Sequence, residues 1–464
     1  MREKKEIDRR HFNASNMHFD EAEIDEGMKE HDRIERLPGQ PEVQFNQYGG
    51  YVTVNRTTGR AFYYYFVEAH HSHNSLPLLL WLNGGPGCSS IGYGAMEELG
   101  PFRVNMDGKT LNINNFSWNH AANVLFVESP AGVGFSYSNT SSDLEEGGDR
   151  GTAMDNYAFL VKWLERFPEF KDRDFYISGE SYAGHYAPQL AHTILYHNRK
   201  PNTTIFINLK GIIIGNPTMN DETDAKGMYE YYESHALIPE ETLTQILQYC
   251  DFRDNHIGLS TQCLVGILEC ERNIAALDIY NIYAPTCSNS THTTSHNTLA
   301  TNIDPCIDEY VHTYLNRPEV QVALHANITK IPYDWQACSK VIGKWQDSPS
   351  TVIPLLNDFI ASGLRVWIYS GDMDGRIPIT STKLSIRLMK LTPTTPWLPW
   401  YFDNEIGGYR QVYEGNLTFA TVRGAGHQVP TYQPARALFL INHFLAGKDL
   451  PTSRNLTFFS SPHY

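Results

Sequence analysis

The stretch DFYISGESYAGHYAPQL, residues 174–190, decides the fold. Residues 174–178 have the composition of a buried strand, and an Ala- and Leu-rich segment from 183 to about 197 has that of a helix, with a turn between them. A serine on so sharp a strand-to-helix turn exposes its Oγ above the sheet, where the helix N-terminus favours a developing oxyanion. Ser181 is therefore the candidate nucleophile, although such turns also occur without any catalytic role.

Strand and helix patterns continue on both sides of this stretch. Strand patterns occupy residues 48–54, 61–67, 76–82, 123–128, 209–215, 365–371 and 416–424. Helical patterns occupy residues 151–167 and 434–447. This alternation predicts an α/β fold with a mostly parallel central sheet.

The alternation is interrupted between residues 218 and 347, a segment rich in cysteine that contains the polar tract CSNSTHTTSHNTLATNIDPC at 287–306. We therefore predict a core of residues 31–217 and 348–464 and an insertion at 218–347, with an exposed, cleavable loop at 288–305. Residues 1–30 carry 15 charged side chains, so we expect a mobile arm outside the core.

Composition excludes several classes of protein. Of 464 residues, 41% are hydrophobic and 19% charged, as in globular chains. The net charge of −15 argues against a nucleic-acid partner. No run approaches the roughly 18–20 apolar residues of a membrane span. The sequence contains no phosphate loop, dinucleotide fingerprint or cofactor lysine, so no cofactor is expected.

Metal binding is not expected either. His70, His71 and His73 cluster in a polar loop but lack a carboxylate scaffold. The sequence GDMDG at 371–375 lacks the remaining ligands of a calcium loop.

Seven cysteines and nine Asn-x-Ser/Thr sequons favour the oxidising secretory pathway, and hence a secreted or vacuolar protein. The first residues, MREKKEIDRRHF, carry charges but no apolar region typical of a signal peptide. An odd number of cysteines leaves one unpaired, and the count alone does not fix the pairing. The sequons at which we expect glycosylation are Asn115, Asn139, Asn202, Asn289, Asn327 and Asn416.

Two later strand ends offer the acid and base that a nucleophilic serine needs. The stretch RVWIYSGDMDG places Asp372 and Asp374 in a turn after one strand, and FATVRGAGHQVP places His427 after another. The order serine, acid, histidine is that of hydrolases built on an α/β sheet. Turn spacing alone leaves the choice between Asp372 and Asp374 open.

Five motifs together resemble the serine carboxypeptidases of plant type, peptidase family S10. They are WLNGGPGCSS (81–90), ESPAGVGFSYSN (128–139), GESYAGHY (179–186), YSGDMDGRIP (369–378) and GAGHQVP (424–430). The resemblance implies an α/β-hydrolase fold with a largely helical, disulfide-bonded insertion. It also implies that Ser181, Asp374 and His427 form the catalytic triad.

Further roles follow from the glycines after the strand pattern at 76–82, which let the backbone approach a bound carbonyl, and from the same resemblance. The backbone N–H groups of Gly85 and Tyr182 are the expected oxyanion donors. The residues expected to hold the free α-carboxylate of a peptide are Asn83, Gly84, Glu98 and Glu180, with Trp81 beside them. Two crowded carboxyl groups do not both ionise readily, so one should keep its proton, and we expect an acidic pH optimum.

The resemblance pairs Cys88 with Cys338, Cys250 with Cys263, and Cys287 with Cys306. Cys270 is left as a buried free thiol or, alternatively, an intermolecular bridge. If the loop between Cys287 and Cys306 is cut, two chains stay joined by that bond. A homodimer is implied by the resemblance alone.

Three functions are compatible with these residues. The first is release of C-terminal amino acids from peptides and proteins through an acyl-enzyme. The alternative is acyl transfer from glucose esters on the same triad, but acyltransferases of this type typically replace the residues that are Asn83 and Glu180 here. A non-catalytic binding or protective protein is disfavoured by the intact set of Ser181, Asp374 and His427.

Overall fold

The structure is a computed structural model that describes residue 12 and residues 29–201, 205–253, 260–287 and 304–454. The strands in this part of the chain are β1 (Arg33–Ile34), β2 (Gln47–Asn55), β3 (Arg60–Val67), β4 (Leu78–Leu82), β5 (Phe102–Val104), β6 (Leu111–Ile113), β7 (Asn123–Val127), β8 (Phe175–Glu180), β9 (Leu209–Gly215), β10 (Arg365–Gly371), β11 (Leu398–Phe402), β12 (Glu405–Val412) and β13 (Leu417–Val422).

The described α-helices are α1 (Ser142–Glu145), α2 (Asp149–Arg166), α3 (Ala183–Asn198), α4 (Asp221–Ser234), α5 (Glu240–Tyr249), α6 (Thr261–Ile274), α7 (Ile307–Leu315), α8 (Pro318–Ala323), α9 (Ile353–Ala361), α10 (Ile379–Leu388), α11 (Val429–Tyr432) and α12 (Pro434–Ala446). A π-helix spans Ser90–Glu98, and short 3₁₀ helices span Lys29–Asp32, Trp118–His120, Pro168–Phe170 and Glu414–Asn416. No helix in these ranges has both the length and the apolar character needed to cross a membrane.

One large sheet has the strand order β1-β2-β3-β7-β4-β8-β9-β10-β13-β12-β11. Its central strands, from β7 to β13 in this order, pair in parallel. The strands on either side of them pair antiparallel. The predicted α/β architecture with a mostly parallel centre is confirmed.

Helices cover both faces of the sheet. Leu80 and Leu82 of β4 face one core, to which α2, α3 and α9 contribute, whereas Leu79 and Trp81 face the other, with the π-helix and α12. Successive side chains of a strand point to opposite faces, so a strand covered on both sides is apolar throughout. This explains why LLLWL is a continuous buried run.

The parallel strands place their carboxyl ends at one edge of the sheet. Asn83 directly follows β4, Ser181 directly follows β8, and Asn216 directly follows β9. Asp374 and His427 lie a few residues beyond β10 and β13. Ligands of open α/β sheets bind at this edge.

Helices α4 to α8 lie between β9 and β10 in the chain, where the insertion was predicted. They include a small apolar cluster with Tyr229, Tyr232, Phe252 and Cys270. This separate cluster supports our proposal that residues 218–347 form a cap subdomain on the core. Residues 288–303 of the predicted cleavable loop lie outside the described residues.

The structure also differs from the sequence expectations at the N-terminal arm and near residue 400. Phe12, within the predicted mobile arm, is buried and packs edge-on against the ring of His192 at 5.9 Å, so the arm is not wholly outside the core. The strand patterns predicted from the sequence did not include β11, which contains the last three residues of the segment PWLPW at 396–400. Pro399 is tolerated in it because β11 is the edge strand.

Candidate active site

Ser181 occupies the turn between β8 and α3 in the left-handed conformation, with φ of 61°. Its N–H donates to the carbonyl of Gly215 at 3.0 Å, and its carbonyl accepts from the N–H of Thr218 at 3.0 Å. These bonds hold the strained turn against the end of β9, and such strain is typical of functional positions. The side chain at the tip of the turn is half-exposed.

Gly84 packs directly on this turn. A Cβ at Gly84 would lie 2.3 Å from the backbone N of Tyr182 and 2.9 Å from the Cβ of Ser181, so only glycine fits. The neighbouring Gly85 is exposed to solvent. The loop after β4 therefore brings the backbone of Gly85 beside the start of α3, as two oxyanion donors would require.

Nδ1 of His427 lies 2.7 Å from Oδ2 of Asp374, and both side chains are almost fully buried. Asp374 also accepts from the backbone N–H groups of Arg376 at 2.7 Å and Ile377 at 3.2 Å. Asp372 instead accepts from the N–H of Gly424 at 2.7 Å. The geometry thus selects Asp374 as the partner of His427, the choice that turn spacing left open.

Sequence reasoning missed Asn216. Its amide Nδ2 donates to Oδ2 of Asp374 at 2.7 Å, and its Oδ1 accepts from the N–H of Gly371 at 3.0 Å. Asn216 has φ of 40°, a conformation that asparagine tolerates better than most residues. The signal in the sequence was an asparagine directly after the strand pattern at 209–215.

Asn83 connects two buried glutamates. Its Nδ2 donates to Oε1 of Glu98 at 2.8 Å and to Oε1 of Glu180 at 3.0 Å. Its Oδ1 accepts from Nε1 of Trp81 at 2.6 Å and from the N–H of Gly94 at 3.1 Å. Trp81 therefore orients Asn83, so that the amide NH₂ group faces the two carboxyl groups.

Burial dominates the protonation of this pair. It raises the pKa of Glu98 to about 7, against the opposing effect of the hydrogen bond from Asn83. The pKa of Glu180 is raised well above its ordinary value by burial, then by the charge of Glu98 and the hydrogen bond with it, and then by Asp374. The two carboxyl groups therefore carry at least one proton at acidic and neutral pH.

Comparisons with known proteins agree with this geometry. The family model described as serine carboxypeptidase matches residues 38–447. The chain belongs to the serine carboxypeptidase family. Members of this family are hydrolases with the α/β-hydrolase fold, and the recognition from the sequence motifs is confirmed.

Similar members come from plants and yeast. Serine carboxypeptidase-like 40 of Arabidopsis thaliana is 62% identical over 433 residues, which cover 92% of this chain and 85% of that relative. Serine carboxypeptidase 24 of the same plant is 50% identical over 440 residues, covering 92% and 94%. The solved structure of Kex1Δp, a prohormone-processing carboxypeptidase from Saccharomyces cerevisiae, matches with a TM-score of 0.78 and 25% identity, covering 90% of this chain and 96% of that one.

The disulfides of the chain join the pairs that the resemblance implied. They are Cys88–Cys338, Cys250–Cys263 and Cys287–Cys306. The first anchors the loop that follows β4, and backbone bonds on either side of it, from Ser89 to Ala337 and from Ser339 to Gly87, extend the junction. The glycine loop over Ser181 is thus fixed to the end of the insertion.

Tyr182, the residue after the candidate nucleophile, is held at its hydroxyl. This hydroxyl donates to Oδ1 of Asp149 at 2.8 Å, and its oxygen accepts from Oγ of Ser348 at 2.5 Å and from Nε1 of Trp345 at 3.0 Å. Sequence reasoning named Tyr182 only for its backbone N–H. These hydrogen bonds hold the ring of Tyr182 and so help to fix the direction of its backbone N–H.

The predicted glycosylation sites differ in exposure. Asn115, Asn139 and Asn416 are exposed, whereas Asn327 is half-buried and donates from its amide to Oε1 of Gln321 at 2.9 Å. Asn202 and Asn289 lie outside the described residues.

Proposed function

We propose that this chain removes single amino acids from the C-termini of peptides and proteins through an acyl-enzyme on Ser181. The observation that carries the proposal is the set of Asn83, Glu98 and Glu180, in which one amide joins two buried carboxyl groups immediately before Ser181. A triad alone serves many hydrolases, whereas a protonated carboxyl pair beside the nucleophile suits a substrate with a free carboxylate.

In the proposed reaction, Oγ of Ser181 attacks the carbonyl carbon of the last peptide bond. His427 takes the proton from that hydroxyl, and Asp374 stabilises the resulting imidazolium. The N–H groups of Gly85 and Tyr182 bind the oxyanion of the tetrahedral intermediate. His427 then protonates the leaving amino acid, and water activated by the same imidazole hydrolyses the acyl-enzyme.

The α-carboxylate of the substrate is the second recognition element in this proposal. Asn83 donates to it from its amide, the backbone of Gly84 lies beside it, and Glu180 donates while protonated. Glu98 is hydrogen-bonded to Glu180. When Glu98 loses its proton, a negative charge faces the incoming carboxylate. Binding is therefore strongest at acidic pH, where the pair is neutral.

The compartment and maturation belong to the same proposal. Three disulfides and exposed sequons at Asn115, Asn139 and Asn416 support a secreted or vacuolar glycoprotein. Because Cys287 and Cys306 are bonded, cleavage anywhere within 288–305 would leave two covalently joined chains.

The test is release of amino acids from N-blocked dipeptides by the purified chain at about pH 5, with Ser181→Ala as the inactive control. We expect stoichiometric release of the C-terminal residue and no cleavage of the matching peptide amide. Cleavage inside longer peptides, or product only when a glucose ester and an acceptor alcohol are added, would overturn the proposal. The second result would identify an acyltransferase.

A further inference from the structure

Three histidines lie close together at the surface, outside the set of Ser181, Asp374 and His427. One ring nitrogen from each of His70, His71 and His120 lies within 4.8 Å of the others. The rings of His70 and His120 stack with centroids 4.9 Å apart. The sequence groups His73 with His70 and His71, whereas in the structure the third member of the cluster is His120, 50 positions beyond His70.

The backbone around the cluster is tied together. The N–H of His70 donates to the carbonyl of Asn119 at 2.8 Å, and Nδ2 of Asn119 donates to the carbonyl of Glu68 at 3.3 Å. Nδ2 of Asn123 donates to the carbonyls of His73 at 3.1 Å and Leu76 at 3.0 Å. The loop between β3 and β4 is thus fixed to the 3₁₀ helix Trp118–His120 without the use of any imidazole nitrogen.

Those nitrogens are available for a ligand. In the described part of the chain, the ring nitrogens of His70, His71 and His120 make no hydrogen bond to protein, and two of the three side chains are exposed. A neutral imidazole presents the lone pair that a metal ion requires.

We propose that His70, His71 and His120 bind one divalent transition-metal ion of the zinc class. Imidazole is a preferred ligand of zinc, copper and nickel ions, and three histidines with water in the fourth position form a complete tetrahedral site. With Zn–N bonds of about 2.0–2.1 Å, two nitrogen ligands lie roughly 3.3 Å apart. Small rotations of exposed side chains close the remaining distance.

The site is separate from the proposed catalytic centre. The histidines lie at the edge of the sheet where β3 ends. Because β7 runs antiparallel to β3 and parallel to β4, both β7 and β4 begin at this same edge. Ser181, Asp374 and His427 follow the opposite ends of the parallel strands. A bound ion would therefore join the β3–β4 loop to the segment that leads into β7 and stabilise the fold without entering the active site.

The test is titration of the full, untagged chain with ZnCl₂ at about pH 7.5, followed by calorimetry and by thermal unfolding. The variants are His120→Ala and the double variant His70→Ala/His71→Ala. His73→Ala is the matched control, because it lies in the same exposed loop but outside the cluster. Amino acid release or circular dichroism shows that each variant is folded.

We expect one zinc ion per chain, a higher Tm with zinc, and affinity at least tenfold weaker in both cluster variants, on the scale seen when metal sites lose support. The His73→Ala chain should bind as the unaltered chain does. Absence of zinc binding, or equal affinity in all variants, would overturn the proposal. If His120→Ala does not fold, the double variant alone decides, because both of its substitutions are at exposed positions.

Discussion

The amide of Asn216 donates to Oδ2 of Asp374 at 2.7 Å, the same oxygen that lies 2.7 Å from Nδ1 of His427. One carboxylate oxygen therefore serves two side chains that arrive from different strand ends. Because Asp374 also accepts from two backbone N–H groups, its carboxylate has little freedom to rotate. Asn216 thus acts as a positioning residue, which fixes the acid that orients His427.

Substitution of Asn216 should lower kcat with little change in KM, since this side chain is placed behind Asp374 and away from the substrate. Asn216→Gly removes the amide and suits the positive φ, so we expect a loss of about tenfold in kcat. Asn216→Asp keeps an acceptor for Gly371 but adds a second carboxyl group beside Asp374. The added negative charge should repel the carboxylate of Asp374 and so also lower kcat. A changed KM with normal kcat would contradict this role.

The pH dependence of substrate binding should follow Glu98. Its pKa lies at about 7, mainly because of burial, so the carboxyl group is neutral below that pH and becomes anionic above it. An anion there repels the substrate carboxylate, so KM should rise about tenfold per pH unit above roughly pH 7, by simple titration of one group. Glu98→Gln, which keeps an oxygen for Asn83, should remove this rise. Profiles that coincide for Glu98→Gln and the unaltered chain would contradict the assignment.

The raised pKa of Glu98 should also make the free energy of unfolding depend on pH. A carboxyl group whose pKa is raised in the folded state binds its proton more tightly there than in the unfolded chain. The free energy of unfolding should therefore fall as pH rises from about 4.5, the ordinary value, to about 7. Chemical denaturation across this range should show a smaller decline for Glu98→Gln than for the unaltered chain.

Much of the fold was predictable because buried strands and amphipathic helices leave local patterns. LLLWL and the stretch around Ser181 gave the correct elements for that reason. Asn216 and His120 were missed because their contacts join residues that are distant in sequence, and neither lies in a motif that signals chemistry by itself. β11 was not predicted because Pro399 argues against a strand unless that strand lies at the edge of the sheet, a position that the sequence does not show.

The close contact at Gly84 predicts a large effect from a single methyl group. Gly84→Ala would place Cβ 2.3 Å from the backbone N of Tyr182, and backbone atoms cannot move aside without disturbing the oxyanion donors. We expect kcat/KM to fall at least 100-fold, the scale for loss of one oxyanion donor. Gly151→Ala is the control, because nothing lies within 4 Å of its Cβ position in α2, and it should stabilise the chain by about 0.5–1 kcal/mol. Near-normal activity of Gly84→Ala would rule out the proposed packing.

Cys270 should behave as an inaccessible thiol. It is buried in the aromatic cluster of the insertion, and burial raises its pKa to about 11, so thiolate is scarce at neutral pH. A thiol reagent should label no cysteine in the native chain and one cysteine after denaturation without reductant.

Substitution of Cys270 should lower the stability of the chain. Cys270→Ala should cost about 1–2 kcal/mol through lost packing, and Cys270→Ser should cost more because a hydroxyl group would be buried without an assured partner. Rapid labelling of the native chain, or a covalent dimer that disappears in Cys270→Ala, would show instead that this cysteine forms the intermolecular bridge.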